Sequence, residues 1–129
     1  MLMPEFYPCI SGLHTDDVPR DRSDGQPNYI NPLYEADHIM MLVGDCSITQ
    51  FVLGKFELPE VPIGEKIYKT WHPLVVEKVK SGELTTWNCP LNTLVLFNFN
   101  TWHQGMPATK AGWRWFIRAS RRTNRKFYN

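Results

Sequence analysis

Along most of this chain apolar and polar residues alternate in short runs, the two-residue period of a half-buried strand. Runs rich in β-branched and aromatic residues and bounded by turn formers predict strands over 38–43 (HIMMLV), 47–57 (SITQFVLGKFE), 66–71 (KIYKTW), 84–88 (LTTWN), 93–99 (TLVLFNF) and 113–120 (WRWFIRAS). One helix is predicted over 73–80 (PLVVEKVK), with proline at its first position and Ser81-Gly82 to stop it. Residues 17–37 (DVPRDRSDGQPNYINPLYEAD) show no period and predict a long surface loop, a kind of connection that is usually functional or mobile. About six to eight strands, one helix and one loop make an all-β jelly roll, or double-stranded β-helix, the expected architecture.

Composition narrows the picture without changing it. A chain of 129 residues predicts a single domain that can bury a core without disulfide staples. Its 43% hydrophobic content and 21% charge place it among ordinary globular proteins. The formal net charge of +1 recommends neither nucleic acid nor an acidic membrane as a partner. Arg121, Arg122, Arg125 and Lys126 form a local basic cluster, read as a solvated terminus. Cys9, Cys46 and Cys89 are odd in number and widely spaced, so neither a disulfide framework nor a zinc knuckle is indicated. With no basic-then-apolar leader at MLMPEFYPCISG and no long apolar run, a cytoplasmic protein without a membrane span is expected.

The chemistry concentrates at three positions. His14-Thr15-Asp16 is an HxD pair, and residues i and i+2 of an extended segment point to one side, so an imidazole and a carboxylate can converge on one ion. His103, at the end of the apolar strand TLVLFNF and before the turn HQGMP, is the candidate third ligand. Two histidines and one carboxylate on one face of an ion leave positions open for further ligands, the facial arrangement of non-haem Fe(II) oxygenases, although zinc accepts the same donors. His38 and His72 are competing histidines, read respectively as a structural or outer-sphere group and as part of the helix start. Asp17 competes with Asp16, but an adjacent residue in a strand points the other way.

In the last predicted strand Arg114, Phe116, Arg118 and Ser120 share one face, and Trp113, Trp115, Ile117 and Ala119 the other. The first is either the solvent face or, if it looks inward, a receptor for an anion, since buried guanidinium groups need one. A planar guanidinium with a nearby hydroxyl suits a carboxylate.

Taken together, HxD at 14–16, the distal His103 and Arg-Ala-Ser at 118–120 resemble the HxD...H...RxS pattern of 2-oxoglutarate/Fe(II)-dependent oxygenases. Arg114 and Arg118 follow His103 by 11 and 15 residues, a spacing similar to that of the taurine dioxygenase branch; the first step alone also suits the phytanoyl-CoA hydroxylase branch. The resemblance implies a jelly-roll dioxygenase holding iron(II) on His14, Asp16 and His103. It implies that Arg118 and Ser120 hold the distal carboxylate of the cosubstrate 2-oxoglutarate, with Arg114 assisting. Oxidative decarboxylation to succinate and carbon dioxide would then be coupled to oxidation of an unidentified substrate, lying near loop 17–37 and Trp71, Trp87 and Trp102. Only thirteen residues precede His14, where the family usually carries a helix and strands, so the expectation is either a minimal fold or an exposed sheet edge covered by a second subunit, as in a homodimer. Two rival readings are a cupin-type metal enzyme that is not an oxygenase, using its ion as a Lewis acid, and a non-catalytic jelly-roll binding module.

Overall fold

A computed structural model describes residues 1–123, so Arg125 and Lys126 of the basic cluster lie outside the described residues. The described chain is mostly β, with strands β1 (Glu35–Val43), β2 (Thr49–Leu53), β3 (Thr85–Asn88), β4 (Val95–Asn98), β5 (His103–Gly105) and β6 (Trp115–Thr123), and one helix, α1 (Ile67–Lys80), between β2 and β3. The strands form two three-stranded antiparallel sheets, ordered β4-β1-β6 and β3-β2-β5.

Alternation along the strands decides what each sheet faces. In β1, Ala36, His38, Met40 and Leu42 are buried and the residues between them are not. Met40, Leu42 and Phe97 of the first sheet meet Phe51 of the second in one core cluster. Val52, the next residue on β2, looks the opposite way and joins Leu13, Trp102, Ile67, Trp71 and Val75 in a second cluster. The β3-β2-β5 sheet is therefore covered on one face by the other sheet and on its far face by α1.

The helix corrects two expectations. Residues 66–71, predicted as a strand, supply its first turns, and Pro73, expected to begin it, lies inside it. Ile, Tyr and Trp are strand-favouring types, but Ile67, Trp71 and Val75 fall at i, i+4 and i+8, one apolar stripe, and all three are buried. Pro73 removes one intrahelical bond. The stripe's burial, together with a bond from Trp71 Nε1 to the Pro59 carbonyl at 2.7 Å, holds the turn ahead of it. The expected stop holds: Gly82 takes a positive φ of 80° and its N–H bonds back to Val79.

Other boundaries shift modestly. β1 begins at Glu35, inside the expected loop, and His103 opens the short strand β5 rather than a turn. No helix of the described residues is long and apolar enough to cross a membrane.

Candidate metal centre

His14 and His103 are brought together by backbone. Each donates its N–H to the other's carbonyl at 2.9 Å, an isolated antiparallel bridge across 89 residues of sequence. Their ring centroids lie 4.7 Å apart. Asp16, two residues beyond His14, projects to the same side, and its carboxylate faces both rings: Oδ2 is 3.2 Å from His103 Nε2 and Oδ1 is 3.9 Å from His14 Nε2. One donor atom from each of the three residues lies within 4.8 Å of the others, so the cluster could hold a metal ion.

The second nitrogens set the chemistry of the first. His14 Nδ1 bonds the Gly12 carbonyl at 2.9 Å and His103 Nδ1 bonds the Thr101 carbonyl at 3.0 Å. A carbonyl only accepts, so both Nδ1 atoms carry a proton; without an ion, a second proton on His103 Nε2 is what bonds Asp16 Oδ2, and a metal would displace it, leaving both Nε2 atoms to present a lone pair to the same space. Burial lowers the pKa of His14, against the raising influence of the Gly12 carbonyl, which favours the neutral ring a metal needs. Burial alone would raise the pKa of Asp16, but the hydrogen bond and charge of His103, with Arg118 and His14, hold it at about 2. Cis donors ~2.1 Å from an ion lie roughly 3 Å apart, so the Asp16–His103 spacing already matches and His14 needs only a small side-chain adjustment.

Thr15 points away from the donors, as alternation requires. Its hydroxyl sits between the Tyr29 and Tyr68 hydroxyls at 2.5 and 3.0 Å, and the two tyrosines bond one another at 2.8 Å. Asp17 turns away too, bonded to Arg122 at 2.9 Å and to the Tyr34 hydroxyl. Its competition with Asp16 is thereby resolved. His72 is not in the cluster. His38 is buried on β1, with Nδ1 bonded to Ser120 Oγ at 2.8 Å and Nε2 without a hydrogen-bond partner among the described residues. Burial lowers its pKa, and the charge of Arg118 acts in the same direction.

The register of β6 on β1 settles the two-face question, because Arg118 lies beside Met40, Ser120 beside His38 and Phe116 beside Leu42, all buried neighbours. The arginine-bearing face therefore looks inward. Arg118 is hydrogen-bonded and ion-paired through Nη1 to Asp16 Oδ2. Arg114 donates Nη2 to Thr49 Oγ1 at 2.7 Å and Nε to the Ser47 carbonyl at 3.3 Å, with no carboxylate partner among the described residues. Burial lowers its pKa, with the Cys9, Cys46 and Cys89 thiols the opposing influence.

A cavity of about 480 Å³ joins His14, Asp16 and His103 to Thr49, Arg114 and Arg118. Its outer wall is Pro8, Cys9 and Ile10 of the N-terminal segment, not loop 17–37, and Trp71, Trp87 and Trp102 do not line it. Trp71 and Trp102 are instead in the core beneath α1. Ser120 does not line it either, its hydroxyl being engaged by His38. Thr49 and the 8–10 wall were not legible beforehand, since a threonine in a strand and a proline-rich terminus carry no chemical signature. Comparison with protein-family models, curated proteins and solved structures found no match.

Proposed function

We propose that the chain is a jelly-roll, non-haem Fe(II)- and 2-oxoglutarate-dependent dioxygenase oxidising an unidentified substrate. One observation carries the reading: two imidazole Nε2 atoms and a carboxylate converge on a cavity that also contains a half-buried guanidinium lacking an acidic partner among the described residues. Two neutral imidazoles and one carboxylate fit a divalent ion and leave adjacent positions free, so the donor set suits a chelating keto acid. Bound iron would supply the dioxygen chemistry. The chain's own residues orient the ligands, screen the site and receive the far end of the cosubstrate.

Arg114 and Thr49 are the receptor for that distal carboxylate, a guanidinium and a hydroxyl already aligned by their mutual bond. Arg118 stands nearer the metal donors and assists there. Ser120 acts through His38 rather than on the cosubstrate.

The test is anaerobic addition of Fe(II) and 2-oxoglutarate, expected to give a weak visible metal-to-ligand charge-transfer band. Asp16→Ala should abolish or shift it, and His72→Ala should leave it unchanged. Iron binding without a band would turn the assignment to a metal site of the Lewis-acid kind.

A further inference from the structure

The outward face of the β4-β1-β6 sheet is apolar across all three strands. By register, Leu96 of β4, Ile39 of β1 and Ala119 of β6 stand in one row. Ile117 stands beside Met41 and Trp115 beside Val43. Leu94 and Trp113 extend the outer rows by two residues each. The block carries no charge, and it ends at the ion pair of Arg121 with Asp37 at 2.8 Å.

Leu94, Leu96, Trp113, Trp115 and Ile117 are 53% to 79% exposed. An aromatic side chain buries ~150–250 Å² when covered, so these five residues together offer on the order of 700 Å². That exceeds the roughly 300–600 Å² of the largest apolar patch on a typical monomer. It matches the ~800 Å² that each partner contributes to a standard stable interface.

We infer that this face is a dimer interface, occupied by a second copy of the chain packed sheet against sheet. The relief of the surface is self-complementary. Trp115 and Ile117 of β6, with Trp113 just ahead of the strand, and Leu96 of β4, with Leu94 just ahead of it, flank a trough made by the half-buried Ile39, Met41 and Val43. A two-fold axis lays each copy's tryptophan ridge in the other's trough, the isologous arrangement that closed dimers use. A face without charges offers nothing to select an unlike partner, whereas Asp37 and Arg121 at its rim can exchange partners across the axis. The metal-site cavity lies on the other side of this sheet, so the dimer leaves it open.

Sedimentation velocity and light scattering on the full chain from about 1 to 100 µM, where a micromolar Kd is visible, should show a species of twice 15.1 kDa. Leu96→Glu combined with Trp115→Glu should raise the dimer Kd on the order of thirtyfold or more, the loss expected for interface hot spots. Its far-UV circular dichroism should be unchanged, since both positions are exposed. A wild-type chain that stays monomeric through that range overturns the inference, as does a dimer that persists in the double variant. Purification in a fixed ratio with a different protein on this face would overturn it as well. If the variant fails to fold, the wild-type mass and protection of Trp113 and Trp115 from iodide quenching at high concentration still decide.

Discussion

Arg118 and Asp16 are 102 residues apart in sequence and share one contact, the guanidinium on the same Oδ2 that faces His103 Nε2. A divalent ion bound by Asp16 must compete with that guanidinium. Arg118→Gln should therefore tighten Mn(II) binding in the absence of cosubstrate by ~1.5- to 5-fold, as expected for a partly exposed ion pair worth ~0.2–1 kcal/mol. Calorimetric titration measures it; weaker binding in the variant would show that Arg118 supports the metal instead.

Arg114 sets the second expectation. Arg114→Ala should weaken 2-oxoglutarate binding to the metal-loaded protein by roughly 10- to 100-fold, the loss of a charge-assisted bond worth ~1.5–3 kcal/mol, with metal affinity retained. Thr49→Val should cost less, a neutral bond being worth ~0.5–1.5 kcal/mol. Arg114→Lys should rescue poorly because a lysine lacks the planar fork. If Arg118→Ala lowers cosubstrate affinity and Arg114→Ala does not, the distal carboxylate lies at Arg118.

The helix start is testable through packing. Ile67 is fully buried at the base of α1, so Ile67→Ala should destabilise the protein by ~2–5 kcal/mol in urea denaturation. A change below roughly 0.5 kcal/mol would be expected only if 66–71 lay on the surface.

Asp24 ties the 17–37 segment to the loop before α1. Its carboxylate accepts from the Gly64 N–H at 2.9 Å and the Gln26 N–H at 3.0 Å and pairs with Arg22. These contacts, the Gly64 N–H foremost, lower its pKa to about 2. A depressed carboxyl contributes stability above its unfolded pKa and loses it as pH falls towards the folded one. Hydrogen exchange at Gly64 and Gln26 should thus stay protected at neutral pH and open as the pH drops from about 4 to 2. Asp24→Asn should show the open behaviour already at pH 7; unchanged protection would mean the loop is held by Arg22 alone.

Close packing at β5 gives a last expectation. A Cβ on Gly105 would sit 2.7 Å from Pro8 Cγ and 3.1 Å from Cys9 Sγ. Gly105→Ala should push the 8–10 wall outward and increase the rate at which a thiol reagent labels Cys9; an unchanged rate would show that the wall accommodates the methyl.

What the sequence disclosed follows from the range of each interaction. His14 and Asp16 were legible as a pair because a two-residue spacing in extended chain dictates sidedness, and His103 because it ends an apolar run. The inward face of β6 was visible as a pattern, but choosing it required its pairing with β1. Residues 66–71 misled because Ile67, Tyr68 and Trp71 favour strands individually, while their i, i+4 stripe continues only through Val75, beyond the proline taken as the boundary. Ser120 looked free because the histidine that binds it is 82 residues away. Thr49 acquires meaning only from an arginine 65 residues further on.

The backbone bridge between His14 and His103 has a consequence for heat resistance. An ion gripped by both side chains fastens the amino-terminal segment to the last third of the chain, clasping a loop of nearly ninety residues with a reversible link. The melting temperature should then climb with free metal concentration, the folded state gaining ~2.7 kcal/mol when the ion is present at about a hundred times its Kd. A chelator would loosen the clasp without touching a covalent bond, so the molecule's durability becomes a readout of metal supply.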